Sequence, residues 1–330
     1  MIRKPTRDRW RTVALEAVSK QVLGATAGLP SSAGRDTALL DELAVAHDAG
    51  LSSVLKLLLI VALLATIVVG STHAADKPQR VLLLAQGPDG HPAGTHEFVA
   101  GQALLAEWLK PITDLEVQLV RVDEPWPNGP ELLAAADCVV LYVCEGAKFM
   151  QADERRWQAF QNCAARGAGL VTLHWACGCK APEPIPGFLV LMGACHGGPD
   201  RRYTVVETEL RPAEPRHAIA RGLGEFRIRD EFYFALKIGP APGVLHPVLT
   251  ATIEGRQETV CWAWERAKQG GATGGRSFGF TAMHFYDNWH RPEYRRLVTQ
   301  GVLWTLGRDI PENGIEIPAA AKSDDLSAAR

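Results

Sequence analysis

From residue 80 onward, short runs of unbroken apolar residues alternate with segments whose apolar positions recur every three or four places. "RVLLLAQ" (80–86), "LEVQLVRV" (115–122), "DCVVLYV" (137–143) and "GLVTLHWA" (169–176) read as strands. "FVAGQALLAEWLK" (98–110) and "DERRWQAFQNCAARG" (153–167) have helical spacing, the second ending at Gly167. Strands that are apolar almost throughout have no solvent-facing side, so they imply a parallel sheet covered by helices on both faces. The pattern then changes. "RYTVVETEL" (202–210), "EFRIRDEFYFALKI" (225–238), "HPVLTATIEG" (246–255) and "ETVCWAWER" (258–266) are strand-rich with short connections, which predicts antiparallel additions. "RSFGFTAMHF" (276–285) returns to the buried pattern. "PEYRRLVTQGVLWTLG" (292–307) reads as a closing helix, with Pro292 in its first turn and Gly307 at its end. The fold class expected is α/β: a doubly wound, flavodoxin-like, mostly parallel sheet with antiparallel strands added in the second half.

The first 74 residues carry a different signal. "LLLIVALLATIVV" (57–69) has no charge, follows Lys56, and precedes a small-residue cleavage site at Thr72-His73-Ala74. Its length suits a secretory leader better than a bilayer-spanning helix, which usually wants about 20 apolar residues. Residues 51–74 are therefore expected to be a signal peptide, and the protein to be exported to a periplasmic or extracellular space. An uncleaved signal anchor that tethers it to the membrane is the alternative. Residues 1–50 are an unassigned extension, long for a leader, and Leu51 is a candidate for the true start. Residues 75–310 form the α/β domain, and 311–330 a polar, Ala-rich tail.

Composition narrows the partners. The chain is 47% hydrophobic and 22% charged, as globular proteins are. Eight of its 35 Lys/Arg and six of its 37 Asp/Glu precede Ala75, leaving 27 against 31 and a balance of −4. No basic tract stands out, which argues against nucleic acid. The seven cysteines follow no disulfide or zinc-finger spacing. Cys177-Gly178-Cys179 is only a CxC, fit for one disulfide or two free thiols.

Chemistry is expected at the strand ends, because ligands of such sheets bind beyond the carboxyl ends of the strands. His91 and His96 follow the first strand, His174-Trp175 the fourth, and His284, Asp287, Trp289 and His290 the last. Three loops thus bring five imidazoles to one edge. Within "RDEFYF" (229–234), Asp230 and Glu231 should face opposite sides of a strand, with Tyr233 on the side of Glu231. Gly87, Gly90 and Gly94 make no dinucleotide or phosphate-loop motif, and no GxSxG elbow exists. Cys177 lies beyond the turn where an amidotransferase would carry its nucleophile. Three histidines from separate strand ends also suit a divalent metal such as zinc, with His174, His284 and His96 as candidate ligands.

The motifs "VLLLAQGPDGHPAGTHEF" (81–98), "GLVTLHWA", "RHAIARGL" (216–223), "IRDEFYF", "HPVLTA" (246–251) and "GRSFGFTAMHFYDNWHRPEYRRLVTQGVLWTLGRDIP" (275–311) together resemble the ThuA-like (trehalose utilisation) family. That likeness implies a class I glutamine amidotransferase-like fold without the cysteine triad, and a role in sugar catabolism. One departure is Ala282-Met283, where family members often carry Gly-Gly before the final histidine.

The resulting expectation is a carbohydrate-active hydrolase or lyase acting on a disaccharide or keto-sugar. His174, His284, Glu231 and Asp287 would do acid–base work. His91, His96, Trp175, Asp230, Tyr233, Trp289 and His290 would bind the sugar. Two rivals share these residues: a sugar-binding or accessory protein without turnover, and a homo-oligomer built through the aromatic cluster at 285–289.

Overall fold

A computed structural model describes residues 77–240, 242–267 and 274–319. The segment expected to be a signal peptide (51–74), the N-terminal extension and the end of the tail lie outside the described residues. The elements run β1 (Gln79–Ala85), α1 (Phe98–Leu109), β2 (Leu115–Arg121), α2 (Gly129–Ala135), β3 (Cys138–Tyr142), α3 (Gly146–Gln151), α4 (Glu154–Ala165) and β4 (Gly169–Leu173). After a 3₁₀ turn (His174–Cys177) come β5 (Gly178–Cys179), α5 (Ile185–Met192), β6 (Ala194–Gly197), β7 (Arg202–Pro212) and β8 (Phe226–Phe234). The chain continues through β9 (Lys237–Ile238), β10 (Val244–Ile253), β11 (Arg256–Glu265), β12 (Arg276–Phe280), a second 3₁₀ turn (Tyr286–His290) and α6 (Pro292–Thr305).

One sheet has the order β2-β1-β3-β4-β12-β11-β10-β7-β8. Its first five strands are parallel, and from β11 onward each pairs antiparallel with its neighbour. The two-fold alternation of a strand explains why the central ones are apolar on both sides. Val81, Leu83 and Ala85 of β1 enter one core with Val140 of β3, Leu105 and Trp108 of α1, and Leu297 and Val302 of α6. Leu82 and Leu84 enter the opposite core with Val139 and Leu141 of β3, Leu133 of α2 and Phe160 of α4. Helix α4 starts where Asp153 Oδ1 accepts the amide of Arg156 at 2.7 Å, and the chain leaves it at Gly167 with φ +90°.

Two boundaries differ from the sequence pattern. "GLVTLHWA" leaves the ladder at Leu173, and "RSFGFTAMHF" at Phe280. His174 takes φ +51°, which no strand can contain, so the apolar run continues past the element it belongs to. Helices α2, α3 and α5 are 7, 6 and 8 residues long and were not apparent in the pattern. Each is too short to display a stripe, and Pro or Gly in the first turn of α2 and α5 reads as a loop signal.

The antiparallel half curls back over the edge formed by the parallel strand ends. Five strand spacings of about 4.8 Å would place β8 roughly 24 Å from β4 on a flat sheet. Instead the Tyr233 hydroxyl of β8 lies 3.1 Å from His174 Nε2, just past β4.

Candidate functional site

His174 is the centre of the site. It is fully buried, and its Nδ1 lies 2.9 Å from the Thr281 carbonyl. A carbonyl only accepts, so Nδ1 carries the proton and Nε2 presents a lone pair. Around that lone pair stand His96 Nε2 at 3.0 Å, the Tyr233 hydroxyl at 3.1 Å, His284 Nδ1 at 3.2 Å and Glu231 Oε1 at 3.9 Å. Four segments far apart in the chain thus meet at one atom.

His96 is oriented from behind. Its Nδ1 lies 2.7 Å from Asp89 Oδ2, while Asp89 Oδ1 lies 2.8 Å from His91 Nδ1. The His91 ring stacks on His96 with centroids 3.7 Å apart and is 44% exposed, so it forms the solvent side of the cluster. Burial would raise the Asp89 carboxyl, but the hydrogen bonds and charge of the two imidazoles outweigh it and hold it at about 2. Asp89 is therefore a fixed carboxylate at neutral pH.

The loops are locked by backbone pairing and by strain. The His96 amide donates to the His284 carbonyl at 3.1 Å, and the Tyr286 amide to the Gly94 carbonyl at 2.9 Å. His96, His174 and Met283 have φ of +52°, +51° and +85°. Such conformations cost non-glycine residues about 1–3 kcal/mol each and persist where surroundings enforce them. At Met283 the enforcing group is Asp230. Its buried carboxylate accepts from the amides of Met283 (2.9 Å), His284 (3.1 Å) and Glu231 (2.8 Å) and from the Tyr294 hydroxyl (2.9 Å). Burial pushes the Asp230 carboxyl up, and those donors oppose it. Asp230 thus shapes the 283–285 loop from inside and presents no oxygen to a ligand.

Glu231, its neighbour on the strand, faces the other way, toward Tyr233 and His174. Burial raises its pKa, while a hydrogen bond from Tyr233 lowers it. Burial also pushes His174 well below the ordinary histidine range, with the nearby His96 and His284 adding to the effect. Burial, with the nearby His96 and His91, holds His284 at about 4. The result is a set of uncharged imidazoles next to a carboxylate whose proton affinity has been raised.

Not every expected residue joins this cluster. Trp289 is fully buried between Trp108 and Tyr142, with centroids 5.7 and 4.9 Å away, so its faces are covered by the protein's own core. It offers no platform to a sugar and no surface to a second copy. Trp175 is buried beside Tyr233 (5.3 Å) and His196 (5.5 Å), supporting the site from below. Asp287 is exposed on the second 3₁₀ turn, and His290 stands edge-on to Tyr286 at 5.4 Å. Cys177 and Cys179 are free thiols that burial pushes up to about 12 and about 11, far from the thiolate a nucleophile needs.

Two participants escaped the sequence reading. Asp89 sits two and seven places before the histidines it orients, a D-x-H…H pattern that could have flagged it. His196 stacks on Tyr233 at 4.2 Å, and burial holds it at about 3. It comes from β6, a strand too short to be legible.

A family model described as "ThuA: Trehalose utilisation" matches residues 91–305. The chain belongs to the ThuA family. The matched segment contains His91, His96, His174, Glu231, Tyr233 and His284 and starts just after Asp89. Among solved structures, the chain is similar to a ThuA-like protein from Parabacteroides merdae, at 19% identity over 71% of this chain and 92% of that one, with TM-score 0.53. It is similar also to a ThuA-like protein from Bacteroides uniformis, at 12% identity over 72% and 96%, with TM-score 0.53. These likenesses concern the fold, an α/β sheet with parallel strands first and antiparallel additions after them. No curated protein matches the sequence.

Proposed function

We propose that this ThuA-family protein is exported and acts in carbohydrate catabolism, moving protons on a disaccharide or keto-sugar held at the edge between His174 and Glu231. One observation carries the reading: a carboxylate of raised proton affinity stands 3.9 Å from the lone pair of a neutral imidazole. Such a pair suits a general base beside a hydrogen-bond acceptor, and proton transfer by a positioned side chain contributes typically 10²–10⁴-fold in rate. In a keto-sugar the carbonyl acidifies the neighbouring C–H, which gives Glu231 a proton to remove. The family's description, trehalose utilisation, supports a sugar as substrate, and the apolar run at 57–69 supports export.

The approach is from solvent. The partly open hollow beside His96, lined by Gln86, Asp89, His91 and Phe98 among others, holds about 70 Å³, enough for a few waters and too little for a sugar ring. A sugar would reach the cluster past His91. Tyr203, 58% exposed and edge-on to Tyr233 at 6.3 Å, offers the aromatic face that Trp289 does not. That exposed ring equally suits the second reading, a sugar-binding protein without turnover.

The two are separated by incubating the purified protein with disaccharides and their oxidised keto forms and following products by mass spectrometry. Turnover that disappears in Glu231→Gln supports the enzyme. Binding by calorimetry with no product across the panel leaves the binding protein.

A further inference from the structure

The nitrogen atoms at the centre of the site are in conflict as they stand. His96 Nε2 and His174 Nε2 are 3.0 Å apart, yet each ring already directs its proton elsewhere: His174 Nδ1 to the Thr281 carbonyl, and His96 Nδ1 to the Asp89 carboxylate. Two lone pairs therefore face each other at hydrogen-bond distance, with His284 Nδ1 3.2 Å from one of them. A proton between them would require a cationic imidazole. Both rings are buried, so water could not solvate that charge. A bound cation removes the conflict.

We infer that His96 Nε2, His174 Nε2 and His284 Nδ1 hold one divalent transition-metal ion, zinc or a neighbour in the same series. With metal–nitrogen bonds of about 2.1 Å, two ligand atoms stand roughly 3.0 Å apart in an octahedral site and roughly 3.4 Å apart in a tetrahedral one. The observed 3.0 and 3.2 Å fall on that interval, and each of the three rings offers a nitrogen within 4.8 Å of the other two. Neutral imidazole is a preferred ligand of these ions. The acceptors behind the rings, a carbonyl and a carboxylate, are the groups that usually fix the tautomer and orientation of metal-bound histidines. Three protein ligands leave coordination positions open, and the groups nearest to them are Glu231 and Tyr233. A substrate carbonyl or a water bound there would sit beside the base. The inference goes beyond the sugar reading and does not require it, since a metal can be bound whatever the substrate.

The test uses the full chain, purified without a polyhistidine tag, stripped with chelator and titrated with Zn²⁺ or Co²⁺. Elemental analysis should find about one equivalent per chain. X-ray absorption of the zinc-loaded wild type should count three nitrogen neighbours at about 2.0–2.1 Å. This measurement needs no variant and so survives any folding failure. His284→Ala should weaken binding at least 100-fold, and Asp89→Asn by 10–100-fold, as expected for a group that supports a ligand. His246→Ala, on the distant strand β10, should leave affinity unchanged. Sulfur neighbours at about 2.3 Å would assign the metal to cysteine and overturn the inference. So would less than a tenth of an equivalent bound in excess metal, or equal affinity in wild type and His284→Ala. Loss of sugar turnover with metal binding intact would count against the proposed function alone.

Discussion

The parallel and antiparallel halves of the sheet supply the site in different ways. The parallel half ends in bare loops, and its histidines sit one to several residues past the last ladder pair, two of them at positive φ. The antiparallel half contributes from within a strand, where β8 sends Asp230 inward and Glu231 and Tyr233 to the site. The parallel half therefore provides imidazoles backed by the Asp89 carboxylate, from loops partly in strained backbone, and the antiparallel half provides Glu231 and Tyr233 from regular strand. The lesson concerns neighbours: Asp230 and Glu231 are adjacent in sequence and opposite in role, because a strand separates consecutive side chains by face.

The sharpest way to break this contrast is at Asp230. Asp230→Ala leaves the amides of Met283 and His284 and the Tyr294 hydroxyl without their acceptor, and should cost about 3–5 kcal/mol in urea unfolding. A loss below 1 kcal/mol would mean that the loop holds itself. Glu231→Gln tests the other face of the same strand. It should lower turnover by at least about 100-fold, near 3 kcal/mol in barrier, while stability moves by less than 1 kcal/mol. A large stability loss with modest loss of rate would reverse the assignment of roles.

Acid should expose the neutral imidazoles. Burial holds His196 at about 3 and His217 at about 4, below the ordinary value near 6.5 that they regain on unfolding. Between those values the unfolded chain binds more protons, so stability rises with pH. The contribution is complete above about pH 6.5 and is lost as pH falls through the folded values. Each such histidine adds about 1.4 kcal/mol per pH unit in that window. In denaturant titrations between pH 6 and 4, His196→Asn should flatten the slope by about one proton; an unchanged slope would show that this ring is already charged. The smallest effect belongs to Cys177→Ala. It removes a buried thiol for about 1 kcal/mol of stability and should leave turnover within about twofold. Abolished turnover in a folded variant would revive thiol chemistry.

Much of this was legible in the sequence, for identifiable reasons. Unbroken apolar runs declared the two-sided sheet, and histidines following those runs declared the edge. Period-two alternation separated Asp230 from Glu231 and joined Glu231 to Tyr233. What stayed hidden was the curl of the sheet, since no local pattern says that β8 returns to β4. With the curl went the roles of Asp89 and His196, which have meaning only once distant partners arrive. Trp289 misled because a loop aromatic among polar residues looks the same whether it faces solvent or, as here, packs onto the core beneath α1.

The latch between β8 and the 283–285 loop also bears on when the site comes into being. The groups gathered at His174 and the residues that hold them run from Asp89 to Tyr294, so no chain cut short of that last tyrosine contains them all. Pairings this remote close late, because loop entropy must be met before they contribute, and folds dominated by them reach the native state in milliseconds to seconds rather than microseconds. Strands β1 to β4 end by Leu173, whereas β12, which joins them in the parallel sheet, begins only at Arg276. The cluster is complete only once β12 and the loop after it are in place, so binding of a metal or sugar there would also report that folding is complete.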